Sequence, residues 1–292
     1  MVIAAHPGIF LFGVLNIIYM KPLLLAGVTD PFGRNHLVFI GICILLIIGL
    51  CILISKTEIK FETIINIMLI AWICSETIKL VSNMSYLLSD GTVVKILEYD
   101  AKEGISILSA YYPREALPFH LCSIQPLFIL TVKLTKNEKI KDTLLKFIFP
   151  TATLGAAIAI LVGSHGGDLT DPQTYEYFFF HAFLIVFAIS IIIKKQITIT
   201  LKSHLQTLLI ILLMFVGSIW LNSILSDTGT SLLSSYTNFF YSMRPPIDDM
   251  HLPLLNLDNG WFVYFFTIMG IGLTAITLLQ LPFIIKNYKK NK

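Results

Sequence analysis

The stretch Leu37-Val38-Phe39-Ile40-Gly41-Ile42-Cys43-Ile44-Leu45-Leu46-Ile47-Ile48-Gly49-Leu50-Cys51-Ile52-Leu53-Ile54 carries no charge and no strongly polar side chain. Coiled as a helix at 1.5 Å per residue it reaches about 27 Å, close to the roughly 30 Å of a bilayer's hydrocarbon core. Lipid offers no partner to an unpaired backbone group, and the run lacks the two-residue alternation of a barrel strand, so it reads as a spanning helix. Comparable runs recur at Thr63–Ser82, Leu117–Leu134, Asp142–Gly163, Tyr177–Ile193, Leu205–Leu225 and Trp261–Ile285. The expected fold is an all-α polytopic membrane bundle of about seven transmembrane helices.

Composition supports this. Of 292 residues, 55% are hydrophobic and only 13% charged, with mean hydropathy +0.79. A soluble domain carries about 25% charge, so the surplus apolar surface has to face lipid. A disordered chain, a nucleic-acid module and a disulfide scaffold are excluded on the same grounds. Residues 1–28 form an apolar N-terminal segment interrupted by Lys21-Pro22. It lacks the basic start of a signal peptide and reads as an interfacial helix, with an eighth span as the alternative. Residues 29–292 read as a single transmembrane domain.

The basic residues are sorted. The loops after the first, third, fifth and seventh runs hold fourteen Lys, counting Lys146 just inside the fourth run; the opposite side holds five basic residues, Arg34, Lys95, Lys102, Arg114 and Arg244. The positive-inside rule puts the lysine-rich side in the cytoplasm. The other side is therefore extracytoplasmic, and the protein is expected in the cell membrane as a multi-pass chain. The long connections, Asn83–Ala116, Ser164–Glu176 and Ser226–Gly260, all lie on that outer side. Within Asn83–Ala116, the segment Gly91–Tyr99 reads as either a small hairpin or an amphipathic element.

Polar groups inside spans are costly and tend to mark sites. Here they gather in the outer halves: His36, Glu76 and Lys79, then His120, Cys122 and Gln125, then His181 and Asn222. Glu76 and Lys79, three apart on one helical face, read as an internal ion pair. Cys43, Cys51 and Cys74 read as small hydrophobes. Cys122 differs, lying about 8 Å below the outer end of its run by rise arithmetic. His120, two residues away, points to the other side of the helix, so a base for Cys122 has to come from another helix. His181, at a matching depth among aromatic residues, is the candidate, and a Cys–His pair is an activated nucleophile.

Several motifs occur in a telling order: Pro31-Phe32 and His36 before the first span, Pro118-Phe119-His120-Leu121-Cys122 opening the third, Phe179-Phe180-His181 in the fifth, then Asn238 followed by Arg244-Pro245. The set resembles the integral membrane acyltransferases typified by vertebrate transmembrane protein 164, over roughly Asp30 to the C-terminus. The resemblance implies an enzyme that moves fatty acyl chains between phospholipids, with Cys122 carrying the acyl chain and His181 as its histidine. It also maps the family's Asn and basic-Pro loop onto Asn238, Arg244 and Pro245. Membrane lipids are the implied partners; neither a cofactor, a metal nor nucleic acid is implied. This chain departs from the family pattern in having Phe239 where Tyr is common, Leu169-Thr170-Asp171-Pro172 where a Thr-Pro turn is usual, and a longer Asn83–Ala116 loop.

On this reading His120 or Asn238 holds the oxyanion, His36 shapes the site and Arg244 grips the lipid phosphate with its planar fork. Two alternatives stand beside it. One is a metal site built from His36, His120, His181 and Glu76. The other is a transporter or small-ligand sensor with an outward-facing polar cavity.

Overall fold

The computed structural model describes residues 32–100, 104–162, 169–226, 237–245 and 254–290. The N-terminal segment 1–28 lies outside the described residues. The described residues form seven α-helices: α1 Arg34–Lys56, α2 Phe61–Asn83, α3 Leu121–Leu134, α4 Glu138–Val162, α5 Pro172–Ile193, α6 Leu201–Leu225 and α7 Trp261–Lys290. All but α3 are long and apolar enough to cross a membrane, and the chain is a multi-pass helical membrane bundle.

The core sits around α5, which packs against α1, α2 and α4 and buries side chains on every face, from Phe178 and Phe180 to Phe187 and Ile191. By contrast α1, α6 and α7 leave large apolar residues bare. Leu45 is 72% exposed and Phe262 69%, which in a bundle of this composition is lipid-facing surface.

Local chemistry sets the helix ends. Asp171 caps α5 by accepting from the Gln173 amide at 2.9 Å, and Pro172 takes the first helical position, where its missing N–H costs nothing. The fifth helix thus begins five residues before the expected Tyr177, which brings Glu176 inside the bundle. Thr200 and Ser203 form a reciprocal capping box that starts α6.

The third helix corrects a second expectation. It begins at Leu121, not Leu117, because Pro118 holds Leu117 in an extended conformation (φ −62°, ψ 148°) and His120 is extended as well (φ −69°, ψ 152°). Its 14 residues span only about 21 Å, too short to cross. The third expected span is therefore a shorter helix entered from within the bundle.

The Asn83–Ala116 connection is a three-stranded antiparallel sheet of β1 (Ser85–Leu88), β2 (Val93–Lys95) and β3 (Ile107–Tyr111), ordered β2-β1-β3. β1 and β2 form the hairpin, with Ser85 opposite Lys95 and Leu87 opposite Val93. Gly91 supplies the positive φ of 83° in its turn, and Asp90 accepts from the Thr92 amide at 3.0 Å. A Lys95–Asp171 ion pair at 3.6 Å ties β2 to the start of α5. β3 then delivers the chain at Tyr112 to the descent that ends at α3.

Candidate functional site

Cys122 is the second residue of α3, so it sits in the first turn of its helix and not partway along it. It is nevertheless deep in the bundle. A Cβ added at Gly155 of α4 would lie 3.1 Å from Cys122 Sγ, and Gly155 is seven residues, or about 10 Å, below the Val162 end of α4. The segment from Tyr112 to His120, extended apart from a single 3₁₀ turn at Arg114–Ala116, therefore leads into the bundle without an α-helix, which at membrane depth is tolerated only against protein or water. His120 makes no side-chain cap, leaving the amides of the first turn of α3, where the helix dipole is positive, uncovered by it.

His181 is set against the same level of α4. The Tyr177 hydroxyl donates to the Ala159 carbonyl at 2.9 Å. One turn further in along the sequence of each helix come His181 on α5 and Gly155 on α4. His181 lies nine residues beyond the first residue of α5, against the four expected, because α5 begins earlier. Its Nδ1 meets the Tyr177 carbonyl at 2.5 Å. A carbonyl only accepts, so Nδ1 carries the proton and Nε2 keeps its lone pair.

Between α2, α3 and α5 lies a compact polar cluster. Lys79 donates to Glu76 Oε1 at 2.5 Å, and Trp72 Nε1 donates to the same oxygen at 3.3 Å. The Lys79 side chain is 13% exposed, and its charge acts on Cys122, His120, His181 and Glu176 alike. His120 and His181 are within electrostatic reach of one another. Buried Glu176 accepts from the Ser75 hydroxyl, and Asn83 donates to Gln173 at 3.1 Å, closing the α2–α5 seam above it. Tyr112 approaches from the sheet side, where burial and then the Glu76 carboxylate push its phenol above the usual range.

The polypeptide from Thr237 to Pro245 covers His120. Phe239 is fully buried and meets the His120 ring edge-on at 5.1 Å, with Tyr241 at 5.7 Å. Phe240 and Tyr241 adopt φ of 59° and 52°, a left-handed conformation costly for aromatic residues. Asn222 holds them there, its amide bonded to Phe239 N, Phe239 O and Ser242 Oγ at 2.8, 3.1 and 3.0 Å. Tyr264 adds hydroxyl bonds to the Tyr241 and Arg244 carbonyls.

The remaining sequence candidates fall as follows. Asn238 spends its amide on the same loop, accepting from the Met243 and Arg244 amides and donating to the Arg244 carbonyl; it shapes the loop through these bonds. Arg244 has its backbone tied by Asn238 and Tyr264 and its side chain exposed. His36 is buried at the α1–α4 contact, accepting from Phe32 N at 2.7 Å and donating to the Ile160 carbonyl at 2.8 Å, so both ring nitrogens are engaged by backbone. Among the described residues no three His, Cys, Asp or Glu side chains group as metal ligands.

Sequence reasoning passed over Ser75 and Glu176. Asp171-Pro172, an N-cap followed by a first-turn proline, was the signal that placed Glu176 inside α5.

Fold and site together define a multi-pass helical membrane protein with a thiol, an imidazole and an ion pair drawn together inside one end of the bundle. The chain belongs to the TMEM164 family, whose model matches residues 31–280. No curated protein and no solved structure matches it.

Proposed function

We propose that this protein is an integral membrane acyltransferase that moves fatty acyl chains between phospholipids through a thioester on Cys122. His181 Nε2 takes the proton of the Cys122 thiol, and the sulfur attacks the ester carbonyl carbon of a donor lipid. The S–C bond forms, the ester C–O bond breaks, and the leaving lysolipid oxygen takes the proton from His181. In the second half His181 removes the proton of an acceptor lipid's hydroxyl, whose oxygen displaces the sulfur and regenerates the thiol.

The observation that carries this reading is the register of α4 against α3 and α5. The Tyr177–Ala159 bond joins α5 to α4 one turn before His181 and Gly155, and the approach of Cys122 Sγ to Gly155 supports bringing sulfur and imidazole to the same part of α4. Support comes also from the proton on His181 Nδ1, which leaves Nε2 as the basic nitrogen. The uncovered amides opening α3 are suited to the oxyanion. A depth of about 10 Å below the helix ends suits an ester that lies just under the lipid headgroups. The charge asymmetry of the loops supports the extracytoplasmic side of the cell membrane for this end of the bundle.

The test is transfer of labelled acyl chains from phospholipid to lysophospholipid in proteoliposomes of the purified protein. Cys122→Ala abolishes transfer, His181→Ala lowers it at least a hundredfold, and wild type without acceptor accumulates a hydroxylamine-labile acyl group on Cys122. Full transfer by Cys122→Ala excludes the covalent route.

A further inference from the structure

The apolar interior of the bundle divides into two clusters. The larger surrounds α5 and has Cys122 packed against it. Among the described residues the smaller has three buried side chains, Phe147 on α4, Ile211 on α6 and Ile276 on α7. Half-buried residues pack around them: Leu121 and Phe128 on α3, Leu154 on α4, Met214 on α6 and Phe240 of the covering loop. By backbone proximity α3 packs chiefly on α4 and α2, whereas α6 and α7 pack on α4 and on each other. These side chains are therefore the main join between α3 and the α6–α7 pair, a thin apolar seam laid along α4. It begins beside the sulfur. Leu121 and Leu154 adjoin Cys122 and Gly155 in the sequence, and Leu121 Cδ2 lies 3.5 Å from where a Cβ at Gly155 would stand. Eight residues back along α4 from Gly155, about 12 Å, the Phe147 ring meets Phe128 edge-on at 5.5 Å. Phe240 enters the seam from the covering loop with φ at 59°, so backbone strain accompanies the placing of that ring.

We propose that this seam binds the fatty acyl chain carried on Cys122, the chain lying along α4 between α3 and the α6–α7 pair, with Phe128 and Phe147 setting the length that fits. The proposal rests on Cys122 being the acyl carrier. Every side chain in the seam is apolar, so it has nothing to offer a headgroup or a phosphate and suits a hydrocarbon chain. So few buried contacts make the seam easy to part, whereas the core around α5 is packed on every face. The thioester carbonyl then stays at the opening of α3 while the chain leaves it inwards, alongside the lipid tails. A chain reaching beyond the Phe128–Phe147 pair has to displace two rings, and a shorter one does not, so length is discriminated at that pair. Met214, unbranched and flexible, adapts to the chain from α6.

The experiment uses phosphatidylcholine with a diazirine in one acyl chain, near its carbonyl or near its methyl end, irradiated with the full-length protein in proteoliposomes. Mass spectrometry of the cross-linked peptides is expected to place the near-carbonyl label at Leu121 and Leu154 and the near-methyl label at Phe128, Phe147 and Met214. Exposed Leu45 on α1 reports the surrounding lipid. Met214→Trp fills the seam and lowers its labelling severalfold while Leu45 labels as before; equal seam labelling in wild type and variant overturns the proposal. Donor lipids of graded chain length supply a second readout. Phe128→Ala shifts the transfer preference about tenfold towards longer chains, and Met214→Trp shifts it towards shorter ones. General loosening of the bundle moves both variants alike, so shifts in one direction, or none, overturn the proposal. Cross-linking does not need transfer. Seam labelling with full transfer by Cys122→Ala keeps the chain site and removes the acyl-carrier reading. Transfer lost in Cys122→Ala, with no seam labelling in the wild type, does the reverse.

Discussion

The Cys122 sulfur occupies the space that a side chain at Gly155 would fill. An added Cβ would lie 3.1 Å from Sγ and 3.5 Å from Leu121 Cδ2. Gly155→Ala gains up to about 1 kcal/mol of helix propensity and costs about 1–3 kcal/mol if the opening of α3 has to move, so stability changes little. The proposed acyl transfer is expected to change, because the Cys122 sulfur is displaced. The expected result is a thermal unfolding midpoint in micelles within a few degrees of wild type and a transfer rate reduced at least tenfold. An unaltered rate would show that the α3–α4 contact does not position the sulfur.

The covering loop depends on one amide. Asn222 makes three bonds to Phe239 and Ser242 from a fully buried position, and these offset the strain of positive φ at Phe240 and Tyr241. Asn222→Ala leaves the Phe239 amide and carbonyl without these partners, at about 1–3 kcal/mol for each buried group. Hydrogen exchange in Thr237–Pro245 is expected to accelerate at least tenfold, with exchange in α4 and α5 unchanged. Equal protection of the loop in wild type and variant would show that another contact holds it.

How far the sequence was legible depended on what each signal measures. Apolar runs located the helices because lipid demands length and apolarity. Those runs are apolar on every side, so they carry little information about which face meets which neighbour, and the packing of Cys122 against Gly155 was not readable. Boundaries were readable where capping chemistry was weighed. Asp171-Pro172 starts α5 and Pro118 delays α3, and setting these aside left Glu176 in a loop and Cys122 partway along a helix. The segment Gly91–Tyr99, held as a hairpin or an amphipathic element, supplies only the turn and second strand of a hairpin that begins at Ser85, followed by a 3₁₀ turn. The roles of Asn222 and Asn238 turn on backbone groups 17 and 6 residues away, contacts that a loop's composition does not encode.

Ser75 and Glu176 join α2 to α5 in the interior. A hydrogen bond involving a carboxylate contributes about 1.5–3 kcal/mol, and here the acceptor is buried. Ser75→Ala is expected to lower the unfolding midpoint by several degrees, whereas Ser75→Thr, which keeps the hydroxyl, stays near wild type. If alanine and threonine destabilise equally, the cause is packing around residue 75 and not the bond.

At the opposite end of the bundle, buried His204 on α6 bonds through Nδ1 to Gln280 Oε1 on α7 at 2.7 Å, with Thr277 Oγ1 3.4 Å from Nε2. Because the Gln280 oxygen only accepts, the proton sits on Nδ1. Gln280→Leu strands that donor among apolar neighbours at about 1–3 kcal/mol, a cost that removing both partners relieves, while the loss of the Gln280 bond to the Lys146 carbonyl is common to both variants. The double variant His204→Leu with Gln280→Leu is therefore expected to be more stable than Gln280→Leu alone, with a coupling energy of about 1 kcal/mol or more in a double-mutant cycle. Acyl transfer per folded molecule stays at the wild-type level in all three variants, since the pair lies far along α6 and α7 from Cys122. Additive losses would mean that the two side chains stabilise the α6–α7 contact independently, by packing, and that their hydrogen bond contributes nothing measurable.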